Sequence, residues 1–204
     1  MTTKAEPREI LAVLPPQSVY ALCDEALLAR RGIDMDDYIA CCRGNDVKII
    51  QYRNKDDELS IMLERLQRLR RQWEGLLIVN DAAELAYLCD GFHLGQDDLA
   101  AIDSDFEAAT RRLRDMIGHD KIIGLSTHNL EEIETANTLD IDYIGLGAYR
   151  ATATKGDAAV LSESLDTLAA RSRHPVAAIG GVRFSDRFEH ARFRVIGSAM
   201  LDVC

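Results

Sequence analysis

Eight short β-branched runs alternate with segments of helical period along a chain of 204 residues that has no internal repeat and no linker, and this pattern predicts an α/β fold of the (β/α)8 TIM barrel class. The runs are VYALCD (19 to 24), VKIIQYR (47 to 53), GLLIVN (75 to 80), GFHLG (91 to 95), KIIGLST (121 to 127), YIGLG (143 to 147), VAAIGG (176 to 181) and FRVIGSAML (193 to 201). The length sits near the low end for such a barrel, so a compact version is expected. An open doubly wound sheet is the competing architecture. The first run lacks a G-x-G-x-x-G turn after it, which leaves a dinucleotide fold with little support.

Between the runs, MLERLQRLRRQW and NLEEIETANTL read as amphipathic helices, the second opened by Asn129 as a cap with acidic residues in its first turn. One domain over residues 1–204 is expected, with 1–18 as an N-terminal extension in which AEPREILAVL is helix-like. The segment RFSDRFEHAR after the seventh run allows only a shortened seventh helix, and the sequence ends at AMLDVC without an eighth. The outer flank of strand eight then needs cover, which the N-terminal segment or a second subunit of a homo-oligomer would supply.

With 47% hydrophobic residues the chain can bury a substantial core. Its 34 acidic and 24 basic residues leave a formal charge of -10, the wrong sign for a nucleic-acid partner or an anionic membrane. Any phosphate bound here must meet a local cluster of cations or a metal. The start, MTTKAEPREILAVLPP, has no apolar signal core, and no window approaches ~18 apolar residues, so a cytoplasmic location is expected. The five cysteines include the adjacent Cys41 and Cys42 but no C-x-x-C spacing, which reads as reduced, mostly buried thiols.

In a barrel of this class chemistry gathers at the C-terminal ends of the strands. Strand two ends in Gln51, Arg53 and Lys55, whose spacing of two points them to one side. Strand three ends in Asn80 and Asp81, strand four leads through His93 to Asp97 and Asp98, and strand five ends in Ser126, Thr127 and His128. Strand six opens into AYRATATK, strand seven ends in Gly180 and Gly181, and strand eight carries Gly197 and Ser198. Taken singly these are caps, turn residues and solvated strand ends. Together, three cations (Arg53, Lys55, Lys155) facing two carboxylates (Asp81, Asp98) suit a polyphosphate bound with Mg2+, and the glycines of the last two strands suit a second anion.

The ordered set QYRNK, VND, GFHLGQDD, GLSTHNLEE, GLGAYRATATK, AIGGV and VIGSAM, running from about residue 20 to residue 200, resembles the thiamine-phosphate synthase (thiamine-phosphate pyrophosphorylase) family. The resemblance implies condensation of 4-amino-2-methyl-5-(diphosphooxymethyl)pyrimidine with a thiazole phosphate to give thiamine phosphate and pyrophosphate. It implies Gln51, Tyr52, Arg53, Asn54 and Lys55, with Asn80, Ser126 and Lys155, around the pyrimidine and its diphosphate. Asp81 and Asp98 match Mg2+ ligands, while Thr152, Ala153, Thr154, Gly181, Gly197 and Ser198 match the thiazole phosphate site. Arg53, Lys55, Lys155 and Ser126 are the residues expected to carry catalysis. Family members commonly have prolines where this chain has Ala148 and Arg150, so Arg150 either adds a cation near the phosphates or points to solvent. Two rivals share the scaffold: a thiazole tautomerase with a histidine at the position of His128, and a non-catalytic phosphate-binding paralogue.

Overall fold

The computed structural model describes residues 5–151 and 160–204. Eight parallel strands close into a barrel in sequence order: β1 (Ser18–Asp24), β2 (Val47–Arg53), β3 (Leu76–Asn80), β4 (Gly91–Leu94), β5 (Ile122–Thr127), β6 (Tyr143–Leu146), β7 (Val176–Ala178) and β8 (Phe193–Ile196). β8 returns to β1 with Ala21 opposite Ile196, so no edge is left open. Successive side chains of a strand point to opposite faces, and the core divides accordingly. Tyr20, Ile49, Leu76, Ile78, Ile122, Tyr143, Phe193 and Val195 fill the barrel interior. Their neighbours, among them Val19, Ala21, Ile50, Leu77, Ile123 and Ile144, pack outward in the larger cluster shared with the helices. Tyr143 fits because residue 124 is glycine, where a Cβ would overlap its ring.

Among the described residues the helices are α1 (Pro7–Val13), α2 (Glu25–Arg31), α3 (Met35–Gly44), α4 (Leu59–Gln72), α5 (Gln96–Ile102), α6 (Phe106–Ile117), α7 (Leu130–Ala136), α8 (Ser164–Ala169) and α9 (Ser198–Leu201), with a 3-10 segment at Ala83–Leu88. Met62, Leu66 and Leu69 form the buried stripe of α4, and the Asn129 side chain accepts from the Glu132 amide at 2.9 Å to open α7.

Three expectations about the ends of the barrel need correction. α1 does not cover strand eight; it plugs the N-terminal mouth, with Leu11 buried among the interior residues. Arg8 fixes it there through Asp142 at 2.6 Å, and the 1% exposed guanidinium of Arg114 binds the same carboxylate at 2.7 Å. The seventh crossover contains no helix rather than a short one. Its peptide groups are taken by distant or turn-forming side chains: Gln17 donates to the carbonyls of Phe188 and Ala191, and the Glu189 and His190 amides donate to Asp166. Strand eight stops at Ile196, and the residues expected to continue it form α9, a one-turn helix where the sequence predicts no eighth helix, which packs on α2 and α3 and buries Met200 and Leu201.

That turn of the chain also corrects the reading of the cysteines. Cys204 is brought back to α3 and forms a disulfide with Cys41, Cα to Cα 5.3 Å, across 163 residues of sequence. Cys23, Cys42 and Cys89 are free and buried, and burial pushes the Cys42 and Cys89 thiols up to about 12. Among the described residues no helix is long and apolar enough to cross a membrane.

Closing so long a loop restricts the unfolded chain, so Cys204→Ser should lower stability by about 2–4 kcal/mol. Urea denaturation of the oxidised protein, the reduced protein and the variant measures this; equal midpoints for all three would exclude a stabilising cross-link.

Candidate active site

A cleft lies across the C-terminal rim, in two joined parts. One is a partly apolar chamber bounded by Leu22, Gln51, His93, Ile179 and Val195, and closed on one side by Gly180, Gly181, Gly197 and Ser198. The other is a polar trough containing Lys55, Asp81, Gln96, Asp97, Asp98 and Glu132. Arg53, Asn80, Ser126 and His128 line both and form the shared wall.

The strand period explains who reaches this wall. On β2, Gln51 and Arg53 face the cleft, while Tyr52 between them is fully buried in the outer layer. Asn54 binds the Tyr52 hydroxyl at 3.3 Å and Asp57 at 2.8 Å, and its oxygen accepts from the amides of Asp56 and Asp57. Tyr52 and Asn54, both expected at the substrate, therefore sit behind β2 and shape the turn after it. Thr152, Ala153, Thr154 and Lys155 lie outside the described residues. The remaining expected residues (Gln51, Arg53, Lys55, Asn80, Asp81, Asp98, Ser126, Gly181, Gly197, Ser198) all line one or both parts of the cleft.

The charged groups are held before any ligand arrives. Arg53 pairs with Asp24, only 2% exposed, which also accepts from the Leu27 amide at 3.0 Å and so caps α2. Lys55 Nζ stands 3.5 Å from Asp81. Asp81 has φ 62, a left-handed conformation that Asp and Asn tolerate better than other non-glycine residues, and its amide donates to the His93 carbonyl at 3.0 Å. Asp98 accepts from the Gly95 amide at 3.1 Å, and Gln96 donates to the Ser126 carbonyl at 2.6 Å, fixing the start of α5 against β5. His128 Nδ1 lies 2.9 Å from Glu132 Oε2, which also accepts from the His128 amide at 2.8 Å.

Beneath the cleft a buried chain of hydrogen bonds crosses the barrel. Gln51 donates to the Tyr20 hydroxyl at 2.8 Å, the Tyr20 and Tyr143 hydroxyls are 2.7 Å apart, Tyr143 meets His93 Nδ1 at 2.9 Å, and His93 Nε2 meets Ser126 Oγ at 3.0 Å. Counting protons sets the direction. With the Gln51 amide nitrogen donating, the arrangement that uses every hydroxyl proton within the chain has Tyr20 donating to Tyr143 and Tyr143 to His93 Nδ1, which puts the ring proton of His93 on Nε2, toward Ser126. Burial raises both phenols well above the ordinary tyrosine range, so they remain donors. Asp24, Tyr20, Tyr143 and Glu132 were not singled out from sequence. Tyr20, Leu22 and Asp24 recur at every second position of β1, a signal available in the alternation; Tyr143 carries none, because its partners come from other strands.

A closed parallel barrel whose C-terminal rim gathers cations, carboxylates and glycine turns defines a (β/α)8 protein with its cleft at the end where such barrels carry their chemistry. Residues 19–202 match the family model described as thiamine monophosphate synthase, and the chain belongs to that family. It is 39% identical over 171 residues to a thiamine-phosphate synthase of Persephonella marina, covering 81% of this chain and 77% of that protein. To one of Lawsonia intracellularis it is 35% identical over 182 residues, covering 84% and 79%. In fold it is similar to a thiamine phosphate pyrophosphorylase from Pyrococcus furiosus (TM-score 0.71, 23% identity, 95% of this chain and 89% of that one). The fold likeness extends to a tryptophan synthase α subunit from Legionella pneumophila (TM-score 0.59, 12% identity, 98% and 88%).

The tyrosine pair makes a prediction with a definite sign. Tyrosine in the unfolded chain ionises near 10.0, whereas the buried phenols keep their protons beyond that value. Above it the folded state binds more protons than the unfolded one, so stability must fall as pH rises. Tyr38 and Tyr52, also raised by burial, add to the slope. The buried Cys23, Cys42 and Cys89 thiols, raised above the ordinary value of 9.0, begin the decline at lower pH. Denaturation midpoints should therefore start to fall above about pH 8 and drop more steeply beyond about 10, the second part being shallower in a Tyr20→Phe, Tyr143→Phe double variant. An unchanged slope in that variant would contradict the assignment.

Proposed function

We propose that this chain joins 4-amino-2-methyl-5-(diphosphooxymethyl)pyrimidine to a thiazole phosphate, releasing pyrophosphate and forming thiamine phosphate. The observation that carries the reading is the two-part cleft: a glycine-edged chamber and a cation-bearing trough share Arg53, Asn80, Ser126 and His128, as a reaction between two anionic substrates requires. In this reading the pyrimidine ring lies against Gln51 and Ser126, with its diphosphate toward Arg53 and Lys55. Lys155 is assigned to the same diphosphate, and Thr152, Ala153 and Thr154 join Gly181, Gly197 and Ser198 at the thiazole phosphate.

Bond cleavage at the pyrimidine methylene leaves negative charge on the departing diphosphate, and Arg53 and Lys55 stand where that charge develops. Arg53 is already oriented by Asp24, so little reorganisation accompanies the step. The attacking thiazole nitrogen uses its own lone pair, so no general base is needed; Ser126 and His93, held by the Tyr143 bond, orient the substrate rather than transfer protons. Asp81 and Asp98 on the trough wall are hard oxygen donors that fit Mg2+, since two carboxylates leave coordination positions for phosphate oxygens. Bound there, Mg2+ would neutralise charge on the diphosphate.

The His128–Glu132 pair favours a second reading, isomerisation of a thiazole phosphate by proton transfer through a carboxylate-oriented imidazole. Incubation with both substrates and Mg2+ separates the two. Pyrophosphate release that depends on both substrates supports the transferase, and isomerisation of the thiazole alone supports the tautomerase. Asp81→Asn keeps a residue suited to positive φ. It should lower kcat/KM by about 100-fold or more with little change in Tm, and near-normal turnover would remove Asp81 from the machinery.

A further inference from the structure

The chamber's phosphate end is built from a turn whose orientation is set from behind. Gly180 and Gly181 have φ 90 and 67, and a Cβ at Gly181 would come 2.8 Å from the Cβ of Arg150. The Arg150 amide donates to the Gly180 carbonyl at 2.8 Å, and its Nη1 donates to the Gly181 carbonyl at 2.8 Å. In a trans peptide C=O and N–H point in opposite directions, so turning both carbonyls toward Arg150 turns the Gly181 and Val182 amides away from it. Gly180, Gly181 and Val182 line the cleft and Arg150 does not. No group among the described residues accepts a hydrogen bond from these two amides.

Arg150 is itself held on three sides. Its guanidinium meets both oxygens of Asp186, at 2.5 and 2.8 Å, and lies over the Tyr149 ring, 4.3 Å from the centroid. Asp186 also accepts from the Arg183 amide at 2.8 Å, and Tyr149 packs edge-on against Phe188 at 5.0 Å. The bond from Arg150 holds the Asp186 carboxyl below the usual carboxylate range.

We propose that Arg150 is a positioning residue for the reaction: clasped by Asp186, it holds the 180–182 turn so that two consecutive amides face the phosphate of the thiazole substrate, without touching that phosphate itself. This rests on the synthase reading for the identity of the ligand. It departs from the simpler idea that Arg150 adds a cation to the anion site, and the two make opposite predictions for Asp186.

The test uses the purified full chain and the variants Arg150→Ala, Arg150→Lys and Asp186→Asn, with calorimetric titration of the thiazole phosphate alone and, separately, steady-state kinetics with both substrates. Arg150→Ala should raise the thiazole phosphate Kd and KM by about tenfold, with kcat and the KM of the pyrimidine diphosphate within about twofold. Arg150→Lys should not restore affinity, because an ammonium cannot span the Gly181 carbonyl and both Asp186 oxygens. Asp186→Asn should also weaken binding, since it loosens the clasp. A plain cation role predicts rescue by Arg150→Lys and unchanged or tighter binding in Asp186→Asn, and either result overturns the proposal. Should Arg150→Ala fail to fold, Asp186→Asn decides alone. Wild-type protein that binds thiazole phosphate without turnover sinks the synthase reading while the binding comparison still decides the role of Arg150. Wild-type protein that binds no thiazole phosphate overturns the cradle itself.

Discussion

The hydrogen bond between the Tyr20 and Tyr143 hydroxyls, 2.7 Å long at the centre of a closed barrel, is the constraint that joins packing to chemistry. Both rings belong to the interior layer that fills the barrel, and both hydroxyls would be costly to bury alone. Their mutual bond leaves one acceptor position for Gln51 and one proton for His93, so the two rim residues are oriented by the same buried pair. A side chain on β2 and another on β4 are thereby set in register through the core rather than through the rim, where a ligand must enter.

Much of the architecture was legible because it follows from periodicity. The eight runs of apolar residues, the helical period of α4 and the Asn129 cap all depend on neighbours within a few positions, and strand alternation separates Gln51 and Arg53 from Tyr52. What the sequence hid was set by closure in space. RFSDRFEHAR has enough polar and apolar residues for a short helix, yet Gln17 and Asp166 capture its peptide groups from far along the chain. Cys41 meets Cys204 only because α9 folds back on α3. The candidate site shows the same division: motifs point to Arg53, Asp81 and Ser126, while Asp24, Tyr143 and Asp186 are partners that only the fold brings near.

The two mouths of the barrel solve opposite problems. At the N-terminal mouth α1 seals the interior, and the buried Arg114 with the partly exposed Arg8 is matched by Asp140 and Asp142, so charge there is paired. At the C-terminal mouth Arg53 is matched by the buried Asp24 while Lys55 and Asp81 form a longer, more exposed pair, and amides of the Gly180–Val182 turn stay without a described acceptor. Stability and binding are thus drawn from different ends of one sheet, which lets residues of the rim change with little effect on the core.

Among the described residues of the trough, Asp81, Asp97, Asp98 and Glu132 stand against Arg53 and Lys55, and the arginine is already matched by Asp24. Among these described residues carboxylates outnumber the cations available to a ligand. On the synthase reading, a diphosphate that arrives with its companion cation would meet these carboxylates as partners of the ion.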